Sequence, residues 1–198
     1  MATRLSRPEQ VQRNRGLVLE AARRVFLERG YAGATLEAIA DEAGFSKGVV
    51  YSQFGGKSAL LLALLEARIE ERAAENLAVT DGLAGIEGLR ALLSASARRS
   101  RDAPAWSRLL IEFRVVAARD PELNARYAAV HAVAVQRLAD VTAEVVARGG
   151  LRFVDGPHVA AHLFFALDSG ATLERIADAD ALPHETLEAI MVRLTEPI

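Results

Sequence analysis

Apolar residues in this chain recur every three or four positions from about residue 18 to residue 194, and nowhere do they alternate with polar ones over a useful length. That period buries one face of an α-helix and cannot bury one face of a strand, so the sequence predicts an all-α fold with no strand. Two of the periodic segments are only about two turns long. The first has Leu36, Ile39, Ala40 and Ala43 behind Thr35 and ends at Gly44; the second has Val50 and Phe54 behind Ser46 and ends at Gly55-Gly56. In each case a hydroxyl precedes the segment, where it can cap the first free N–H groups, and a glycine follows, where a left-handed residue closes a helix. Two short helices joined by a tight glycine-containing turn form a helix-turn-helix, the arrangement that lays its second helix in a DNA major groove.

The flanking segments are longer. Val18, Ala21, Ala22, Val25 and Phe26 predict a first helix over residues 8–29, opened by the Ser6…Glu9 capping-box spacing with Pro8 in the first turn and stopped by Gly30. Residues 57–77 form a helix with Leu60, Leu61, Leu64, Leu65, Arg68 and Ile69 along one flank. Further helices are expected over 86–99, from Trp106 to Val116 or Ala117, and from Asp120-Pro121 to 148, with breaks at Asp102-Pro104 and Gly149-Gly150. Asp155 is expected to cap the next helix, with Pro157 in its first turn, and the last spans 183–194. The reading is therefore about nine helices, divided into an N-terminal three-helix domain over 1–56 and a C-terminal helical domain over 57–198.

Charge supports the division. The 198 residues carry a formal net charge of −2, which seen whole argues against a polyanionic partner. Residues 1–60, however, hold nine Lys and Arg, Arg4 among them, against six Asp and Glu, and the remainder holds fifteen against twenty, so a basic head sits on an acidic body. Both lysines, Lys47 and Lys57, are in the head. The absence of cysteine excludes disulfides, thiolate zinc sites and cysteine nucleophiles. Apolar runs are too short for a membrane span and residues 1–15 lack the apolar stretch of a signal peptide, so the expected address is cytoplasmic, with no membrane partner. No hydrolase, phosphate-loop or zinc-protease motif is present, and no enzyme activity or cofactor is expected. His158 and His162 lie one turn apart near Asp155, but that carboxylate is better used as a cap and no metal site is expected.

The run Thr35-Leu36…Ile39-Ala40…Ala43-Gly44-Phe45-Ser46-Lys47-Gly48-Val49-Val50-Tyr51…Phe54…Lys57…Leu60, preceded by Ala21-Ala22…Phe26…Gly30-Tyr31, resembles the tetracycline-repressor (TetR) family of bacterial transcriptional regulators over residues 10–65. The resemblance implies a homodimer whose two heads grip successive major grooves of a palindromic operator in double-stranded DNA. It also implies a C-terminal domain that dimerises and holds a small-molecule effector, whose binding moves the heads through the 57–77 helix and relieves repression. The rival from another class is an all-α ligand-binding or catalytic protein with a vestigial helix-turn-helix.

The expected DNA contacts follow position by position. Thr35 sits at a helix N-terminus suited to phosphate, and Lys57 adds a point charge at another. Ser46 caps the recognition helix. Lys47 can reach guanine, Gly48 allows close approach, Tyr51 can meet a phosphate, sugar or base, and Ser52 and Gln53 supply adaptable hydrogen bonds. Val49 departs from the hydroxyl residue common in the family and offers a thymine-methyl contact instead. For the cavity, the resemblance points to Trp106, Leu110, Phe113, Tyr127, His131, Phe164 and Phe165, suited to an apolar ligand with one or two polar groups. Asp168 interrupts an apolar face and needs a partner such as Arg114, His131 or a cationic ligand. Leu163, Gly170, Leu173, Leu187, Ile190, Met191 and Leu194 are expected to pair with a second copy in a four-helix bundle.

Overall fold

The computed structural model describes residues 6–198, apart from the Asp102 side chain; Arg4 lies outside the described residues. Among the described residues nine helices run α1 (Arg7–Gly33), α2 (Leu36–Ala43), α3 (Lys47–Phe54), α4 (Lys57–Val79), α5 (Gly85–Asp102), α6 (Pro104–Ala117), α7 (Pro121–Arg148), α8 (Pro157–Ala177) and α9 (His184–Val192). The capping box at Ser6 and Glu9 is present, as are the hydroxyl caps at Thr35 and Ser46 and the left-handed closures at Gly44 and Gly55. Gly30 breaks α1 as its sequence position suggests, with φ 68 and ψ 177, but helical turns resume beyond it to Gly33.

Three local expectations are corrected. Two strands exist after all: β1 (Leu151–Phe153) pairs antiparallel with β2 (Thr195–Pro197), Arg152 facing Glu196. Three residues are too few for an alternation to show in a sequence. Because the chain turns into β2, α9 stops at Val192 and Leu194 packs instead beside Phe153 and Met191. Asp155 does not cap α8. Gly156, at φ 83, occupies the capping position and no side chain bonds there.

Packing follows the helical faces. Val18, Ala21, Ala22, Val25 and Phe26 of α1 close on Ile39, Ala40, Val50 and Phe54 to form the core of the head. That core does not end with α3. It continues without a gap through Leu60, Leu61, Leu64 and Leu65 of α4 to Leu109, Phe113 and Ala117 of α6 and Leu123, Tyr127 and Val130 of α7. A second cluster, around Leu89, Leu93, Val146, Phe153, Ala160 and Met191, ties α5, α7, α8 and α9 to the small sheet. At Gly88 a Cβ would fall 2.3 Å from the Val145 side chain, so α5 and α7 approach closely only because that residue is glycine.

Candidate DNA interface and ligand cavity

The turn between α2 and α3 places two helix N-termini side by side on the surface. Thr35 Oγ1 accepts from Ala38 N at 3.1 Å, and Ser46 Oγ accepts from Val49 N at 3.4 Å. Each hydroxyl keeps its proton to donate outward, next to backbone N–H groups that favour an anion. Lys47 and Tyr51 face solvent, Tyr51 with 58% of its surface exposed although it is a large aromatic. Lys47 pairs with Glu37 across the turn, and this hydrogen bond lowers the Glu37 carboxyl below its ordinary value. Gly48 has an open surface: a Cβ there would meet nothing nearer than Ser46 Oγ at 3.8 Å. Val49 is half-buried, and the Ser52 hydroxyl donates to Val49 O at 2.9 Å.

Two expected contacts point elsewhere. Gln53 is half-buried and its Oε1 is enclosed, because the helical period places position 53 one turn beyond Val49 and Val50, on the flank of α3 that turns inward. The Lys57 ammonium folds back onto the end of α1, donating to Tyr31 O at 2.8 Å and Ala34 O at 3.0 Å, with the Tyr31 ring 4.5 Å from Nζ. A cation on the terminal carbonyls of a helix is stabilised by the local dipole, so this lysine first of all holds α1 to α4. Only its third N–H remains for a phosphate.

The body holds a partly open cavity of about 260 Å³, lined chiefly by α4, α5, α6, α7 and α8. Seven of the eight expected side chains line it: Trp106, Leu110, Tyr127, His131, Phe164, Phe165 and Asp168. Phe113 does not. It is fully buried behind the wall, edge-on to Tyr127 at 5.7 Å between centroids and edge-on to Tyr31 of the head at 5.0 Å. On the cavity side Tyr127 stacks on His131 at 5.8 Å, and His131 meets Phe165 at 5.3 Å. Next to this aromatic chain, the Tyr31 backbone N–H donates to Glu112 Oε2 at 2.9 Å. A Cβ at residue 30 would come within 2.7 Å of the same carboxylate, so the glycine kink in α1 is also the seat of this contact.

Arg114 joins three helices at the cavity wall. Its Nε donates to the Tyr127 hydroxyl at 2.6 Å, its Nη1 to Ser169 Oγ at 3.1 Å, and its Nη2 lies 3.5 Å from His131 Nε2. Burial, then the Arg114 charge and His162, push His131 below its ordinary value and favour the neutral ring. Asp168 has neither expected partner. Burial raises its carboxyl, opposed by the charges of Arg175, Arg72 and Arg99. The sequence reading missed Arg72 and Arg99 as cavity residues, although Arg68 within the apolar flank of α4, with Arg72 one turn on, was the available signal.

Of the expected interface residues, Leu163, Leu173 and Ile190 are exposed, as are Val159 and Ile176 of α8. Met191 is buried in its own protomer, which corrects its assignment, and Leu194 is half-buried against the second cluster. Leu187 and Gly170 are half-buried. His158 Nε2 lies 2.8 Å from Gln136 Oε1, and among the described residues no three His, Asp or Glu side chains converge on a possible metal position. No single helix among them is long and apolar enough to cross a membrane.

Comparison with known proteins matches residues 18–64 to the model of bacterial regulatory proteins of the tetR family, and residues 85–198 to the C-terminal model of BetI-type transcriptional repressors. The HTH-type transcriptional repressor AcnR of Corynebacterium efficiens is 30% identical over 163 residues, covering 81% of this chain and 80% of that protein. Among solved structures, a TetR-family transcriptional regulator from Mesorhizobium loti superposes with a TM-score of 0.71 at 22% identity, over 96% of both chains. The flavonoid-responsive regulator FrrA superposes with a TM-score of 0.58 at 28% identity, over 92% of this chain and 93% of that one. The helix-turn-helix, the nine-helix architecture and these matches agree: the chain belongs to the tetR family of bacterial regulatory proteins and is a DNA-binding transcriptional regulator, not an enzyme.

Proposed function

We propose that the protein is a cytoplasmic repressor that binds a palindromic operator as a homodimer through a head over 1–56, and is released when a small molecule fills the cavity of the body over 57–198. Thr35, Ser46, Lys47, Gly48 and Tyr51 form the DNA face, with Val49 and Ser52 at its edge. One observation carries the coupling between the two sites: the aromatic chain Tyr31, Phe113, Tyr127, His131 begins in the head and ends in the cavity wall, ring against ring and buried as far as Tyr127. A ligand that displaces Tyr127 or Arg114 therefore presses on the residue that seats α1. This route stands beside α4, which lines the cavity with Arg68 and Arg72 and begins at Lys57 in the head.

Support for repression comes from AcnR, which is named a transcriptional repressor, and support for ligand response from FrrA, named flavonoid-responsive. The exposed apolar stripe of Val159, Leu163, Leu173 and Ile176 on α8, with Ile190 on α9, supports pairing with a second copy. Selection of genomic fragments with purified protein, followed by sedimentation of the complex, tests the reading. A palindromic site bound by two copies with steep salt dependence is expected; binding without sequence preference overturns it. Leu173→Asp or Ile190→Asp is expected to give a monomer, and a variant that stays dimeric moves the interface elsewhere.

A further inference from the structure

The charges around the cavity are lopsided. Its lining contains five arginines and a single carboxylate, Asp168. Three of those arginines, Arg68, Arg72 and Arg99, crowd together at the α4–α5 side. Their counter-charges lie away from the cavity: Glu75 is 2.8 Å from Arg72, 3.6 Å from Arg99 and 4.0 Å from Arg68, and Glu71 is 3.3 Å from Arg68. Neither glutamate lines the cavity, and both are well exposed. Three guanidiniums thus share essentially two carboxylates on their outer side.

The arrangement leaves one enclosed donor unused, although Arg99 Nη2 donates to Asn76 Oδ1 at 3.1 Å. Arg68 Nε is enclosed and has no hydrogen-bond partner. Burial, followed by the repulsion of Arg72, brings Arg99 down to about 10, so it stays charged at neutral pH but is held there at a cost. An enclosed cation with unpaired N–H groups is relieved by an anion, and the planar guanidinium suits a carboxylate in particular. The rest of the wall is apolar, with Leu89, Leu93, Trp106, Phe164 and Phe165. The volume falls just below the usual range for drug-sized ligands, which favours a compact molecule.

We propose that the effector is a compact amphipathic carboxylate, its head bound by Arg68, Arg72 and Arg99 and its apolar body laid against the Leu93 and Phe164 side of the cavity. This rests on the reading of the cavity as the effector site. It gives the expected apolar ligand with one or two polar groups an anionic head, and sets aside a cationic ligand as the partner of Asp168, whose carboxyl is a minority charge in an otherwise basic wall.

Hexanoate, hexylamine and hexan-1-ol share one apolar body and differ in the head, so calorimetric titration of each into the full chain separates the possibilities. Hexanoate is expected to bind at least about tenfold more tightly than hexan-1-ol, a difference of about 1.4 kcal/mol. Its affinity, unlike that of the alcohol, is expected to fall with added potassium chloride. Arg72→Gln should erase the preference. If that variant does not fold, Asp168→Asn gives a second reading: it removes the opposing charge and is expected to tighten hexanoate several-fold, whereas a cation site would lose its ligand. Equal or tighter binding of the amine or the alcohol overturns the proposal, as does sulfate binding as well as hexanoate, or no binding of hexanoate up to about 10 mM. Release of operator DNA is measured separately. Hexanoate that binds without weakening the operator complex leaves the ligand class standing and removes the effector role, while release by hexylamine alone does the reverse.

Discussion

The DNA face and the ligand cavity are built by opposite means. On the DNA face nearly every polar group is placed by its own neighbours in sequence: Thr35 and Ser46 by the N–H groups three residues on, Ser52 by Val49 O, and the turn by Gly44. In the cavity, the polar groups are placed by residues far away along the chain, as where Arg114 is held by Tyr127, Ser169 and His131 from α7 and α8. A locally determined surface tolerates change one residue at a time. A site assembled from five helices does not, and the joint between the two regions, Phe113, is where that difference is greatest.

Phe113→Ala gives the largest expected effect. The side chain is completely buried between Tyr31 and Tyr127, and removing such an aromatic costs about 3–5 kcal/mol, or roughly 10 °C in melting temperature for a chain of this size. Because the core is continuous across α1, α4, α6 and α7, head and body are expected to melt together, at the lower temperature, in scanning calorimetry. Two transitions, with the head's unchanged, would show that the two regions are independent.

Lys57→Met tests the boundary from the other side. It removes two charge-assisted bonds to the end of α1, for a loss of about 2 kcal/mol after allowance for partial exposure. If Lys57 is chiefly a brace, the salt dependence of operator binding is expected to keep its slope. A slope lower by about one would instead make this lysine a phosphate contact in its own right.

Asp168→Asn gives a smaller, pH-dependent change. Burial raises the Asp168 carboxyl in the folded protein, against the pull of Arg175, Arg72 and Arg99. A raised value means that the folded state holds its proton more firmly than the unfolded state. The stability this contributes is full below the ordinary carboxylate value near 3.9, and is lost as pH rises through the raised value. Asparagine does not titrate. The variant's stability relative to the parent chain is therefore expected to increase as pH rises across that window and then level off, which denaturant titrations at successive pH values would measure. A difference that stays constant with pH would place Asp168 in contact with solvent.

The same contrast explains what the sequence could show. The caps, glycine stops and apolar period of α1 to α3 are short-range signals, and they locate these three helices and their exposed side chains except where a side chain leaves its local frame. Lys57 reaches back 26 positions to Tyr31 O, and the enclosed amide of Gln53 depends on tertiary packing. The cavity was legible in its aromatic residues, because large apolar side chains on facing helices must meet somewhere. Its basic side was not, since Arg72 and Arg99 look like ordinary surface charges until α4 and α5 are brought together. Met191 misled for a related reason: a helical stripe shows which residues are buried, but not whether the cover is the same chain or a second copy.

The finest test of the DNA face is Gly48→Ala, where stability and function are expected to move in opposite directions. Gly48 is an ordinary helical position near the start of α3, and a Cβ there would touch nothing of this protein closer than 3.8 Å. Within the fold, alanine is simply the better helix former, and the variant is expected to gain up to about 0.5 kcal/mol. The chain's own packing therefore supplies no reason for glycine at this point, in contrast to Gly88, where a Cβ would strike Val145. On the proposed reading the reason lies outside the chain, in a DNA backbone or base that approaches α3 between Lys47 and Tyr51. Fluorescence anisotropy with the selected operator is expected to show weaker binding by the slightly more stable variant. Unchanged affinity would move the closest approach of DNA away from the α3 N-terminus, towards Thr35 and the start of α2.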